Sequence, residues 1–320
     1  MRLHGWVVVL GAVLAVGCAS GGAPRVSSTP PPAAVERQGD PLRGLSHEQL
    51  QGVLWVQTSA EFEAVLTSTF AAARAALEPA LDDEAWTAAL EQQGDVSGRQ
   101  PAVIVDVDET MLDNSPFQAQ SVLEGTVFCN ETWDQWVTQK RARALPGALA
   151  FARAAAGLGV EVFYVTNRDK DEEAATVENL RCAERTAAGE CQGFPNADPE
   201  HVLVPGEAPA AGAPAWTSDK TARRAHVAAS HRILLLVGDD LRDFVTPPPG
   251  ASVEDRLKLA RQYAVLWGTR WFILPNPLYG SWERALPGSN LGDAQFLEAK
   301  RGLVEGFRPP QPSECRPSQE

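Results

Sequence analysis

Positive charge is scarce in this chain: 28 Lys and Arg stand against 41 Asp and Glu in 320 residues, a formal net charge of −13. A surface of that sign repels polyanions and lacks the counterion release that drives nucleic-acid affinity, which argues against a polynucleotide partner. Any anionic ligand must therefore meet a local positive site or a metal ion. Long apolar runs are missing too. The run from Trp6 to Val16 has eleven residues, too few to cross a ~30 Å hydrocarbon core as a helix. Cysteine is sparse, with five in all and no CxxC pair or histidine cluster beside them, which argues against zinc. No internal repeat is found. What is present is 44% hydrophobic residues, enough for a sizeable core and incompatible with disorder throughout.

The short apolar run follows Arg2 and fits the h-region of a secretory signal over residues 1–17. It ends in Ala15-Val16-Gly17-Cys18, which resembles a bacterial lipobox with Cys18 as the lipidated residue, although Ala15 stands where Leu is preferred. The alternative is an ordinary cleaved signal with an incidental cysteine. Ala19, in place of an inner-membrane retention Asp, points to an outer-membrane lipoprotein of the cell envelope. Residues 18–44, rich in Ser, Gly and Pro, lack apolar periodicity and read as a flexible tether. The remaining cysteines, Cys129, Cys182, Cys191 and Cys315, are an even number in an exported chain and permit up to two disulfides. Cys182 and Cys191 are near enough in sequence to close a small loop.

Residues 45–320 make the folded domain. From Ser46, apolar residues at steps of three and four (Leu50, Val53, Leu54, then Phe62, Val65, Leu66, Phe70) predict a helical N-terminal extension. The period then changes. Apolar runs at 102–105, 160–165, 233–237 and 271–274 read as strands, and helix-like stretches at 146–156, 171–186 and 218–229 lie between them. Such alternation predicts an α/β fold: a parallel sheet with helices on both faces, and a small helical cap from the N-terminal extension. Residues 205–214 read as a surface loop.

In such sheets ligands sit at the carboxyl ends of the strands. The first run is followed by Asp106-Val107-Asp108-Glu109-Thr110, the second by Thr166-Asn167-Arg168 and the third by Gly238-Asp239-Asp240-Leu241-Arg242-Asp243. Asp106 and Asp108, two apart, share one side of an extended segment. One carboxylate can attack phosphorus and the other can handle a proton. Thr166, Asn167 and Arg168 offer donors for phosphate oxygens. Two carboxylate clusters on neighbouring strand ends repel unless a hard cation lies between them, and oxygen ligands suit Mg²⁺. Lys220 supplies a fixed positive charge.

Taken in order, Asp106-x-Asp108-x-Thr110, Thr166, Lys220 and Gly238-Asp239-x-x-x-Asp243 resemble the four motifs of the haloacid dehalogenase-type phosphohydrolases. The stretches 106–117, 271–282 and Trp55-x-Gln57-x-Ser59-x-Glu61 are similar to motifs of the lipoprotein-e, class C acid phosphatase family. That resemblance implies a Mg²⁺-dependent phosphomonoesterase, acting on nucleoside 5′-monophosphates or NMN through an aspartyl-phosphate. It implies Asp106 as nucleophile and Asp108 as acid and base. It places the metal on Asp106, the Asp108 carbonyl, Asp239 and, through a supporting shell, Asp243. Thr166 and Lys220 bind phosphate, Trp133 and Tyr279 sandwich the substrate ring, and Asn114 helps position it. Asp240 is left open between ligand and orienting residue, and Trp133 with Trp136 between ring-stacking wall and buried helix face. A homodimer is a further expectation. A surface lipoprotein that binds a ligand on a phosphatase scaffold with little catalysis is the competing reading. The four intact motif residues speak against it, and Asp108 speaks against a dehalogenase.

Overall fold

A computed structural model describes residues 41–305. The leader, Cys18, the tether up to residue 40 and Cys315 lie outside the described residues. Helix α1 (Pro41–Thr58) starts on a proline, whose missing N–H costs nothing at a first helical position. Residues 41–44, read as tether from composition, are thus helical. The chain turns at Ser59, which caps α2 (Ala60–Ala75) by accepting from Phe62 N at 3.1 Å. Phe62, Leu66, Phe70 and Ala73 lie on one face of α2 and are buried, as their spacing predicts. A short α3 (Leu77–Asp82) follows.

Five strands form the central sheet: β1 (Gln100–Val105), β2 (Glu161–Val165), β3 (Val202–Leu203), β4 (His231–Gly238) and β5 (Trp271–Ile273). Their order is β3-β2-β1-β4-β5, and every pairing is parallel. Along β1, Val103 and Val105 enter one core cluster while Ala102 and Ile104 enter a second. The strand is therefore buried on both faces, which is why it reads as a continuous apolar run. The first cluster contains residues of α2, α3 and α6 (Ala148–Gly157); the second contains Val227 and Ala228 of α8 (Thr221–Ser230). The chain steps from β1 to β2 and β3 on one side, then crosses back to β4 on the other. That reversal is a switch point, the place where open parallel sheets bind ligands.

Four further helices lie around the carboxyl ends of the strands. Helix α4 (Ser115–Glu124) packs against α1, and α5 (Asn130–Gln139) carries the two tryptophans. At the other side, α10 (Ser281–Arg284) and α11 (Asp293–Leu303) follow β5, and α11 also packs on α1. Gln57 of α1 donates to Ser115 Oγ at 3.2 Å, so the Trp55–Glu61 motif is largely structural: Gln57 ties the helices and Ser59 caps one.

The helix expected over 171–186 is shorter. It is α7 (Glu173–Arg181), ended at Cys182, whose disulfide to Cys191 closes a two-stranded ribbon of Glu184–Arg185 and Cys191–Gln192. Strand β3 escaped notice because two residues carry no period. Residues 205–214 contain neither helix nor strand, and α9 (Val253–Gln262) begins after the Pro247–Gly250 break with Ser252 as its cap.

Candidate active site

Strand β1 stops at Val105, and Asp106 N still donates to Val237 O at 2.9 Å, which fixes it beside β4. Its Oδ1 lies 2.5 Å from Lys220 Nζ, and the same ammonium reaches Asp243 Oδ1 at 2.7 Å. Lys220 directly precedes α8 and is buried. A buried ammonium is tolerated only when matched in this way.

Asp239 follows β4 and accepts from Thr110 Oγ1 at 3.1 Å and Asn276 Nδ2 at 2.9 Å. A Cβ at Gly238 would run into the Asp243 carboxylate, so the glycine lets this second acidic cluster fold back on the strand end. Asp240 points elsewhere. It caps the 3₁₀ turn Leu241–Asp243 through Arg242 N at 2.9 Å, and it accepts from Ser281 N at 2.6 Å and Ser281 Oγ at 2.5 Å. It thus orients its neighbours and fastens α10 to the β4 end.

One carboxylate oxygen each from Asp106, Asp239 and Asp243 lies within 4.8 Å of the others. Burial, partly opposed by Lys220 and reinforced by Asp243 and Asp108, pushes Asp106 up to about 7. Burial first, then Asp106 and Asp243, holds Asp239 well above the ordinary carboxylate range. One lysine does not neutralise three acids. An oxygen-only donor set with this excess of negative charge fits a hard divalent cation.

Asp108 takes a different direction from Asp106. Because β1 has already ended, the two-residue alternation of a strand does not apply, although both carboxylates open on one cavity. Asp108 Oδ1 accepts from Arg168 Nη2 at 2.8 Å and from Asn114 Nδ2 at 2.8 Å, and Thr166 Oγ1 lies 3.3 Å from its Oδ2. Thr166 and Asn114 are themselves fully buried, so both sit behind the Asp108 carboxylate. Arg168, expected to face phosphate, is bound to Asp108. Asn167 Oδ1 accepts from Arg223 Nη2 at 2.6 Å.

The cavity has a volume of about 710 Å³, and Trp133 and Tyr279 line it together with Phe128 and Phe296. Trp133 is edge-on to Phe117, with ring centres 5.2 Å apart. Trp136, one turn on, packs against the core and donates its Nε1–H to Asn114 Oδ1 at 2.8 Å. The two tryptophans therefore divide the alternatives, one on the cavity and one on the core.

Several buried charged residues around the site carry no role in the sequence reading. Glu109 is buried with φ +54, accepts from Asn114 N at 3.0 Å, and is pushed well above the ordinary range by burial and then by Asp108. Arg223 donates to the Thr166 carbonyl, and Arg224 to the carbonyls of Arg242 at 3.0 Å and Asp243 at 3.2 Å. With Lys220 they make α8 a brace between the β2 and β4 loops. The Lys220-x-x-Arg223-Arg224 spacing is legible afterwards, but nothing in it announces buried arginines.

A parallel sheet with acidic strand ends at its switch point and a lysine between them defines a haloacid dehalogenase-type fold. Residues 46–282 match the family described as HAD superfamily, subfamily IIIB (acid phosphatase), and the chain belongs to that family. The chain superposes on the class C acid phosphatase of Bacillus anthracis with a TM-score of 0.68 at 32% identity, covering 83% of this chain and all of that one. A tungstate-bound structure of that enzyme gives 0.67 at 31% identity, with the same coverage. Acid phosphatase 1 of Solanum lycopersicum is 31% identical over 176 residues, 55% of this chain and 57% of that relative. The chain thus spans little more than half the length of the tomato protein.

Proposed function

We propose that the protein is a divalent-metal-dependent phosphomonoesterase that works through an aspartyl-phosphate on Asp106. The observation that carries this reading is the convergence of Asp106, Asp239 and Asp243 within 4.8 Å, with Lys220 bridging two of them. Family membership supports the reaction class, and the tungstate bound by the Bacillus anthracis relative, a tetrahedral oxyanion, supports a phosphoryl-sized ligand.

In the first step an Asp106 oxygen attacks phosphorus, the bond from phosphorus to the ester oxygen breaks, and Asp108 gives a proton to the departing alkoxide. In the second, water attacks the same phosphorus, Asp108 takes its proton, and phosphate leaves with Asp106 restored. Lys220 faces the attacking carboxylate and stabilises the oxygens on which charge collects. Asp106, Asp239 and Asp243 would hold Mg²⁺, with the Asp108 carbonyl completing the set; the bound ion supplies Lewis-acid stabilisation of the phosphoryl oxygens. The Asp108 side chain stands outside that set and carries the proton transfer.

Trp133 and Tyr279 line the cavity that continues from this centre, and a leaving group that carries an aromatic ring, such as the nucleoside of a nucleoside 5′-monophosphate or of NMN, suits such walls. Export to the cell envelope on a lipidated Cys18 belongs to the same reading. The Cys182–Cys191 disulfide supports an oxidising compartment. Phosphate release from a nucleoside monophosphate, lost on chelation and restored by Mg²⁺, tests the proposal. Full activity in the presence of chelator would sink the metal role.

A further inference from the structure

Arg168 has no part in the steps above, yet it is the closest cation to the acid. We propose that Arg168 is a positioning residue for proton delivery, holding the Asp108 carboxylate where the leaving oxygen receives its proton. This inference rests on the reading of Asp108 as the acid.

The Arg168 side chain has no solvent exposure, and arginine is almost never buried unless paired. Its Nε lies 3.0 Å from Asp108 Oδ1 and 3.3 Å from Oδ2, and its Nη2 lies 2.8 Å from Oδ1. Two donors of one planar guanidinium converge on Oδ1, and Nε also reaches Oδ2, which pins the carboxylate from one side. The guanidinium is fixed in turn. Nη1 donates to Thr176 Oγ1 at 3.3 Å, Nη2 reaches Asn114 Oδ1 at 3.4 Å, and Arg168 N donates to Thr166 Oγ1 at 3.1 Å. Trp136 then sets the Asn114 amide at 2.8 Å. Asp108 sits in a loop after a strand end and would otherwise sample several rotamers. A displacement of ~1 Å in such a group costs on the order of 10²-fold in rate.

The guanidinium carbon also lies 5.6 Å from the centre of the Trp133 ring, so the wall that receives the leaving group continues directly into the holder of the acid. Direct phosphate binding by Arg168 is the competing use of this side chain. Its donors to Asp108 are already engaged, and a phosphate-binding arginine would serve every phosphomonoester alike.

That difference is the test. Nitrophenolate departs as a stable anion and needs no proton, whereas ethoxide does. The purified chain with Mg²⁺ is assayed for kcat/KM on p-nitrophenyl phosphate and on ethyl phosphate, as the native protein and as Asp108→Asn, Arg168→Lys and Arg168→Met. Asp108→Asn should lower ethyl phosphate relative to p-nitrophenyl phosphate by about 10²-fold, the size of a general-acid contribution. Arg168→Met should shift the ratio in the same direction by about tenfold or more, with Arg168→Lys between it and the native chain, and should add nothing in an Asp108→Asn background. Damage to the Trp133 wall would move the ratio the other way, because only the nitrophenyl substrate carries a ring. An unchanged ratio in Asp108→Asn refutes the acid reading itself. A shifted ratio there with equal losses on both substrates in the Arg168 variants refutes the positioning role alone. Should Arg168→Met not fold, Arg168→Lys and Asn114→Ala, which removes the other donor to the same oxygen, decide by the same ratio.

Discussion

Lys220 Nζ bridges Asp106 at 2.5 Å and Asp243 at 2.7 Å, joining the carboxylate that ends β1 to the one that closes the turn after β4. The relationship has two consequences. It places a positive charge beside the oxygen proposed to attack phosphorus, and it offsets the burial of two acids.

Replacing Lys220 by Met should therefore act on both. Leaving buried charges without their partner costs about 3 kcal/mol, read as a lower Tm of the metal-free chain. Activity with Mg²⁺ should fall by about 10²-fold or more. A variant with native activity would remove Lys220 from the mechanism.

Asp239 is held well above the ordinary carboxylate range by burial and by Asp106 and Asp243. In the metal-free chain the folded state thus binds its proton more tightly than the unfolded state, whose pKa is about 4. The group contributes a loss of stability that begins above that pH and grows until the folded value is passed. In Asp239→Asn this penalty is absent. The Tm difference between variant and native chain, both in chelator, should move in the variant's favour as pH rises from about 4 to about 7. Added Mg²⁺ should raise the native Tm and leave the variant's nearly unchanged. A pH-independent difference would contradict the crowding described for this cluster.

Trp133 and Tyr279 face the cavity, so Trp133→Ala should raise KM for a nucleoside monophosphate by up to about tenfold, the worth of one aromatic contact. KM for ethyl phosphate, which has no ring, should stay within about twofold. Equal effects on the two substrates would assign Trp133 to packing with Phe117 and Phe128.

The Cys182–Cys191 bridge spans a sequence separation of 9. Closing a loop of that size limits the unfolded chain by about 2.7 kcal/mol on the chain-entropy account. A Cys182→Ala, Cys191→Ala double variant should lose stability of that order in urea, with kcat unchanged, because no residue of the ribbon lines the cavity on which Asp106 and Asp108 open. A change in kcat would show that the ribbon reaches the site.

How far the sequence foretold this arrangement depends on the kind of signal. Strands β1, β2 and β4 were legible because a strand buried on both faces is apolar almost throughout, as Val103 and Ile104 show by entering opposite cores. The acidic cluster of Asp106, Asp239 and Asp243 was legible because strand ends are where such sheets place chemistry, and Lys220, which precedes a helix, was legible only through the ordered set of four motifs. The partners that Arg168 and Asn114 meet were not legible, for one shared reason. Residue type signals a donor but not the acceptor it will meet, and here both donate to Asp108. Strand β3, with two residues, is specified by its neighbour β2 and not by any pattern of its own.

In the proposed reaction Asp106 carries the phosphoryl group. Acid quenching of the enzyme during turnover of p-nitrophenyl phosphate, followed by peptide mass spectrometry, reads this directly. The peptide containing Asp106 should gain one phosphoryl group that is lost at alkaline pH, and Asp106→Asn should show neither the adduct nor turnover above about 10⁻⁴ of the native rate. An Asp106→Asn variant that turns over at the native rate, or an adduct found on another residue, would contradict the account.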